Sequence, residues 1–230
     1  GLYCIRKDFI MERTFNNGFS CDTIQSNAYL SRDIKHYWRY RYVSAAYDND
    51  SADGCVSGDI RTLKNQFRTE KISDLQDCSQ RIEKEISEGL NFLVQELEVV
   101  NQPWVVVAVP RSKSTFMADQ LYLIKAISNA IPQQLLENGA YFIKRHSDTK
   151  TTHLTKTKKG DMSGTGDLPY LGITQDTCIL QGNVRGKNVI LIDDIYTHGV
   201  NIDEDCAQFL FDNGAKNVVL YTLCKTQYLE

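Results

Sequence analysis

The chain has 230 residues, of which 42% are hydrophobic and 10% aromatic, so it can bury one substantial core. A formal net charge of -3 excludes both a strongly basic nucleic-acid binder and an acidic disordered chain. Seven cysteines occur without a CxxC pair, and no apolar run reaches the roughly 18 to 20 residues that cross a bilayer. We therefore expect a soluble cytoplasmic protein that does not span a membrane.

The first hundred residues contain a predicted aromatic strand and a long amphipathic helix. In His36 to Tyr42 (HYWRYRY), aromatic residues alternate with arginines, which predicts a half-buried strand or, alternatively, a stacking platform for nucleic acid. The turn-rich segment Asp48 to Gly58 predicts a loop, and a capping-box pattern at Ser73 and Gln76 opens a helix. Its apolar stripe consists of Leu75, Cys78, Ile82, Ile86, Leu90, Leu93 and Leu97.

The character of the sequence changes near residues 101–103, where we place a boundary. Residues 1–102 are predicted to form an N-terminal accessory or hood region, and residues 103–230 the main domain. Three apolar runs in the main domain predict buried strands, at Val105 to Val109, Asn188 to Ile192 and Asn217 to Leu223, and a further strand is expected at Tyr141 to Lys144. Helices are expected from Thr115 to Pro132 and after Asn201, with Asn213 and Gly214 as the stop of the second helix. This alternation predicts an α/β fold with a doubly wound, mainly parallel sheet.

The segment Val189 to Asn201 (VILIDDIYTHGVN) carries the strongest functional signal. Two carboxylates, Asp193 and Asp194, follow a buried apolar run, and a short loop then leads into a helix. Ligands of open parallel sheets bind beyond the carboxyl ends of the strands, where helix N-termini supply backbone amides for phosphate. Carboxylates beside a phosphate would repel it unless they bind sugar hydroxyls or a metal. The segment therefore predicts a sugar-phosphate site.

The same segment resembles the signature of the type I phosphoribosyltransferases, an apolar run, two acids, two apolar residues, then Thr, a variable residue and Gly. This resemblance implies that Asp193 and Asp194 hold the ribose hydroxyls of phosphoribosyl pyrophosphate (PRPP), and that the two acids also contact Mg2+. It further implies a loop for the 5'-phosphate of PRPP. The residues of that loop are Thr197, His198, Gly199, Val200 and Asn201.

Two further segments match the order of parts in this family. The loop Pro110 to Ser114, with Arg111 and Lys113, is similar to the family's pyrophosphate loop. The segment Lys144 to Asp167 is similar to its mobile catalytic loop. There, Ile143 to Arg145 and Thr149 are similar to the pattern of the ComF-type subgroup, as is the upstream run Ile60 to Lys64, although the four-cysteine zinc spacing of that subgroup does not occur here. By this resemblance Arg145 is a further catalytic candidate.

The loop departs from the family at two positions. His198 and Asn201 stand where members most often carry Thr or Ser. Backbone amides can donate from both positions, and the Asn201 amide can replace one hydroxyl bond. His198 is either a base that titrates near neutral pH or a loop residue that binds through its backbone. Thr197 stands where hypoxanthine-guanine members carry an acid, which disfavours a 6-oxopurine acceptor.

Several alternatives remain open at the level of sequence. The basic stretch from Lys144 to Lys159 predicts a solvated loop, a cationic cover for departing pyrophosphate, or a nucleic-acid contact. The predicted function is Mg2+-dependent transfer of a phosphoribosyl group from PRPP to a nitrogen acceptor. The alternatives are a non-catalytic sensor of PRPP or nucleotide, which regulates a partner or nucleic acid, and a toxin-like component that docks a partner. A homo-oligomer is compatible with each.

Overall fold

The computed structural model describes residues 12–42, 56–64, 69–111, 118–147 and 172–226, without the side chains of residues 118–121. Its strands are β1 (Arg13–Thr14), β2 (Ser20–Ile24), β3 (Ile34–Trp38), β4 (Tyr40–Tyr42), β5 (Trp104–Ala108), β6 (Glu137–Gly139), β7 (Ile143–Arg145), β8 (Cys178–Leu180), β9 (Asn188–Tyr196) and β10 (Asn217–Thr226). Its helices are α1 (Val56–Lys64), α2 (Ile72–Glu96), α3 (Ala118–Ala130) and α4 (Ile202–Asp212), with a 3-10 turn at Val99–Asn101. None of these helices has the length and apolar content that a membrane span requires.

The central sheet has the strand order β1-β2-β3-β10-β9-β5-β6, with β4 also paired to β10. The pairings from β3 through β6 are parallel, and among the described strands only the β1–β2 and β2–β3 pairings of this sheet are antiparallel. This mixed α/β architecture with a mainly parallel sheet agrees with the predicted fold class. Strands β5 and β9 are neighbours whose onward connections run to opposite sides, to β6 and to β10. The carboxyl ends of β5 and β9 therefore form a topological switch point, where ligands of open α/β sheets bind.

Helices cover both faces of this sheet. Residues of α1, α2 and α3 pack with one apolar cluster, which includes Ile190 and Ile192 of β9. Residues of α4 pack with the other cluster, which includes Val189 and Leu191 of the same strand. Alternation along β9 therefore points successive side chains at different helices. Helix α2 approaches the sheet closely at Gly89, where an added Cβ would lie only 2.1 Å from the Tyr221 hydroxyl oxygen.

The N-terminal strands belong to the same sheet as the rest of the chain. Strand β3 pairs with β10, so the first of the described parallel strands lies beside the last of them. The predicted strand at residues 36–42 is present, but it is divided at Arg39 into β3 and β4. The proposed division at residues 102 and 103 stays a prediction. Residues 48–55 of the predicted loop and the predicted helix start at Thr115 lie outside the described residues.

Other element boundaries differ from the sequence prediction. Helix α2 begins at Ile72 with Lys71 as its N-cap and no side-chain cap, so the capping box at Ser73 is wrong. The stripe itself is buried from Leu75 to Leu93. Strand β9 continues four residues beyond Ile192, because β10 also extends and pairs with it as far as Tyr196. Strands β6 and β8 were not predicted, since three residues are too few to show a period.

Candidate functional site

The two acids of the motif lie within the last four residues of β9 and face different surroundings. By alternation Asp193 shares the α4 face with Val189 and Leu191, and Asp194 shares the opposite face with Ile192. Both carboxylates also fix the local backbone. The Asp194 N–H donates to Asp193 Oδ1 at 2.8 Å, and the Ile195 N–H donates to Asp194 Oδ1 at 2.7 Å.

Asp194 is an ionised carboxylate held by cations. Arg111, which follows β5, donates through Nη1 to Asp194 Oδ2 at 2.9 Å. Burial raises the pKa of Asp194, but the charges of Arg111 and Lys64 outweigh it and hold that pKa below its ordinary value. Lys64 ends α1, and its ammonium lies 5.9 Å from the centre of the Tyr42 ring. One cation from each side of the proposed boundary at residues 102 and 103 therefore acts on Asp194.

Asp193 has the opposite electrostatic environment. Burial and the charge of Asp194 raise its pKa to about 7, even though its carboxyl shares a hydrogen bond with that of Asp203 in α4. Burial and the charge of Asp193 also raise the pKa of Asp203 well above its ordinary value. Burial and the neighbouring negative charges therefore favour the protonated form of both carboxyl groups.

The first turn of α4 contains three consecutive acids that are all buried, Asp203, Glu204 and Asp205. Burial raises the pKa of Glu204 to about 7, although a hydrogen bond from its own backbone amide opposes the shift. Burial likewise raises the pKa of Asp205 to about 6, against the hydrogen bond that Asp205 Oδ2 accepts from the Ile173 N–H at 3.0 Å. Sequence analysis missed these acids, because acids in a first helical turn are usually exposed N-terminal residues.

The loop between β9 and α4 is a tight turn with two left-handed residues. The Val200 N–H donates to the Thr197 carbonyl at 3.2 Å. Gly199 has φ +82° and Asn201 has φ +65°. The amides of Gly199 and Asn201 donate to no backbone carbonyl within the described ranges. Left-handed residues in such turns direct amides into a concave nest for an anion, and the start of α4 adds its dipole.

Side chains at both ends of the loop hold it in place. The hydroxyls of Thr197 and Thr226 lie 2.6 Å apart, which ties the first loop residue to β10. At the other end, Asn201 Nδ2 donates to the Gly199 carbonyl at 3.2 Å, and the Asn201 carbonyl accepts the first helical bond from Asp205 N–H at 3.0 Å. His198 is exposed between them.

The buried Arg145 connects the two segments that flank the site. Its Nε donates to the Arg111 carbonyl, and its Nη1 donates to the Gly172 carbonyl at 2.5 Å. Gly172 precedes Ile173, whose amide is bound by Asp205 of α4. Arg145 thus holds the backbone of Arg111 and connects it to the helix that follows the phosphate loop.

The structure places the predicted site residues in one region, with one exception. Arg111, Asp194 and Arg145 are joined by the contacts above, and residues 197–201 follow β9 directly. Lys113 lies outside the described residues, as do Thr149 and the basic stretch from residue 148 onwards. Within the described ranges no cluster of three or more His, Cys, Asp or Glu side chains is arranged to hold a metal ion.

Comparison with known proteins gives only distant similarity. No protein-family profile matches the chain, and no curated protein matches it. Two crystal structures of a hypoxanthine phosphoribosyltransferase from Staphylococcus aureus are similar to it. The tetragonal form has a TM-score of 0.32 and 20% identity, over 62% of this chain and 64% of that chain. The orthorhombic form has a TM-score of 0.31 and 16% identity, over 64% of this chain and 70% of that chain.

The chain thus spans less than two thirds of the first of these structures. At such TM-scores the similarity says nothing about activity. Any functional assignment for this chain rests on its own motif and on the geometry of the site.

Proposed function

We propose that the chain is a phosphoribosyltransferase-like protein that binds PRPP with Mg2+ and transfers the phosphoribosyl group to a nitrogen nucleophile, releasing pyrophosphate. One observation carries this proposal. An acid pair near the end of a strand at the switch point of a parallel sheet is followed, after two more strand residues, by a turn with two left-handed residues that leads into a helix. Carboxylates for sugar hydroxyls and amides for a phosphate are thereby placed on one continuous segment, which suits a sugar phosphate.

Each part of the site has a task in this reaction. Asp193 and Asp194 accept hydrogen bonds from the ribose hydroxyls, and residues 197–201 bind the 5'-phosphate. The nitrogen of the acceptor attacks the anomeric carbon as the bond to the diphosphate breaks, and the electron pair of that bond leaves with pyrophosphate. Positive charge develops on the sugar ring, which the carboxylates stabilise.

The negative charge of the departing diphosphate is stabilised by cations. Arg111 and Lys113 of the loop after β5 are assigned to this task, together with the basic stretch from Lys144 to Lys159. Arg145 takes part through Arg111, because its guanidinium binds the Arg111 carbonyl. The guanidinium of Arg111 must shift from Asp194 towards the diphosphate when PRPP arrives.

The donor set is compatible with Mg2+. Carboxylate oxygens and phosphate oxygens are its usual ligands, and Asp193 and Asp194 supply carboxylate oxygens from adjacent positions near the end of β9. Asp193 and Asp194 would hold the ion beside the ribose and the diphosphate. When bound, the ion would neutralise part of the diphosphate charge.

The test is a calorimetric titration of PRPP with and without Mg2+, followed by a pyrophosphate-release assay over a panel of nucleobases and amines. Binding with acceptor-dependent release supports the transferase. Binding without release supports the non-catalytic sensor. A double variant, Asp193→Asn with Asp194→Asn, that binds PRPP as tightly as the wild type would show that the site is placed wrongly.

A further inference from the structure

The segment 25–33, between β2 and β3, lies along α4 and reaches the candidate phosphate loop. The Ser31 N–H donates to Gln208 Oε1 at 2.8 Å, and the Arg32 guanidinium lies 4.2 Å from the centre of the Phe211 ring. Leu30 is 1% exposed and packs in the same apolar cluster as α4. A piece of the N-terminal region is therefore fixed against the helix that begins at the loop.

Asn27 is the residue of this segment that contacts the loop. Its Oδ1 accepts hydrogen bonds from the N–H groups of Tyr29 at 2.8 Å and Leu30 at 3.0 Å, so the orientation of its amide is set. Its Nδ2 then points to Asn201 and donates to Asn201 Oδ1 at 2.9 Å. The contact joins residues that are 174 positions apart in the sequence.

This contact decides which end of the Asn201 amide faces the loop. Because Asn201 Oδ1 is bound by Asn27, the Nδ2 group is turned to the Gly199 carbonyl, at 3.2 Å. An amide NH2 group has two N–H donors, so one remains after the bond to Gly199. An anion in the loop is thus met by a donor and not by the amide oxygen, whose partial charge would repel it.

We propose that Asn27 is a positioning residue of the phosphate loop, which fixes Asn201 so that it presents N–H groups to the phosphate of the substrate. This inference rests on the proposed function. It also explains how Asn can stand where related loops use a hydroxyl, since a hydroxyl rotates to donate but an amide must be oriented.

The sharpest test is Asn27→Asp. A carboxylate oxygen can still accept from the amides of Tyr29 and Leu30, so the turn is kept. The other oxygen faces Asn201 Oδ1, and Asn201 then reverses its amide and turns its oxygen towards the phosphate. We expect PRPP to bind at least about tenfold more weakly by calorimetry, the loss typical of a hydrogen bond to a charged group.

A matched control and a double-mutant cycle separate orientation from added charge. Asn183→Asp is the control. Asn183 Oδ1 also accepts a hydrogen bond from a backbone amide, the Arg185 N–H at 3.0 Å, but Asn183 lies before the start of β9, whereas the phosphate loop follows the end of that strand. Asn201→Gly, which tolerates the left-handed backbone, removes the amide. In that background Asn27→Asp is expected to change PRPP affinity by less than about twofold. If Asn27→Asp does not fold, Asn27→Ser replaces it, since its hydroxyl can form the turn but is too short to reach Asn201.

The outcomes distinguish this inference from the proposed function. A loss in Asn27→Asp that disappears in the Asn201→Gly background, with Asn183→Asp like the wild type, supports the positioning role. Unchanged affinity, or an equal loss in both backgrounds, overturns that role and leaves PRPP binding in place. A wild-type protein that does not bind PRPP overturns both.

Discussion

Asp193 and Asp194 are the same residue type in adjacent positions, yet their carboxyl groups are in opposite chemical states. Asp194 lies among cations, and its pKa is held below the ordinary value. Asp193 lies next to Asp203, and its pKa is raised to about 7. The difference arises because side chains alternate along β9, so that Asp194 contacts Arg111 and Asp193 faces α4. A motif read as a pair of equal acids thus contains one permanent anion and one group that can carry a proton.

The largest expected effect on this contrast comes from Arg111→Met. It leaves Asp194 buried without its nearest cation, and we expect a loss of about 2 to 3 kcal/mol in the free energy of unfolding, since Arg111 itself is one quarter exposed. Urea denaturation measures it. Arg41→Met is the control, because the Arg41–Glu12 pair is exposed and should be worth less than about 1 kcal/mol. Equal losses in the two variants would mean that the Arg111–Asp194 pair stabilises the protein no more than the exposed Arg41–Glu12 pair does.

The next expected effect is that Asp194→Asn and Asp193→Asn change the free energy of unfolding in different directions. Asp194→Asn leaves Arg111 without its carboxylate partner, and we expect the free energy of unfolding to fall by about 1 to 2 kcal/mol at about pH 8. Asp193→Asn removes a repulsive charge while keeping the acceptor for the Asp194 N–H, and should be neutral or stabilising by up to about 1 kcal/mol. Urea denaturation of both variants in the same buffer measures this difference. Destabilisation of the same size in both would contradict the two environments described here.

The pH dependence of stability is a smaller effect with a defined sign. The folded protein keeps a proton on Asp193 up to about pH 7, whereas the ordinary value of this group is 3.8, so the folded state binds more protons between these values. Stability therefore falls as pH rises through this window. Asp203→Asn removes a second carboxyl group whose pKa is raised well above its ordinary value, so the difference in unfolding free energy between about pH 5 and about pH 8 should shrink by about 1 kcal/mol. Asp212→Asn, exposed on the same helix, is the control, and an unchanged pH dependence in Asp203→Asn would contradict the raised pKa of Asp203.

The smallest expected effect tests Lys64, the more distant cation on Asp194. If PRPP binds as proposed, Lys64→Met should weaken its binding by about two- to fivefold, as expected for a partly screened charge. Lys64→Arg should retain the affinity. Lys125→Met, exposed on α3, provides the control for loss of a lysine elsewhere. Calorimetry in low and high salt would show whether the difference is electrostatic, and a loss that is equally large in Lys64→Arg would point to packing instead.

Sequence reasoning predicted the parts that depend on local patterns. Strands β5, β9 and β10 and helices α2 and α4 followed from runs and periods of apolar residues, and the stop of α4 followed from Gly214, which has φ +93°. Arg111 and Asp194 were assigned to one site from sequence, because each was predicted to follow a buried strand of a parallel sheet.

The remaining features depend on contacts between distant segments. No local pattern pairs β3 with β10, brings Asn27 to Asn201 or places Lys64 near Asp194. The buried acids of α4 were missed for the same reason, because their environment is created by residues 172 and 173 and by β9. The roles of Lys113 and of the basic stretch stay predictions.

The position of β10 between β9 and β3 has a consequence for how the chain reaches its native state. Contacts between residues 34–38 and 217–226 close a loop of most of the chain, and this raises the contact order and slows folding. During synthesis β3 must wait, with one edge unpaired, until β10 has left the ribosome. The same strand supplies Thr226 to the loop and pairs with β9 at Asp193. Formation of the candidate site therefore requires β10 to pair with β9, and chains in which this pairing has not formed will lack the site.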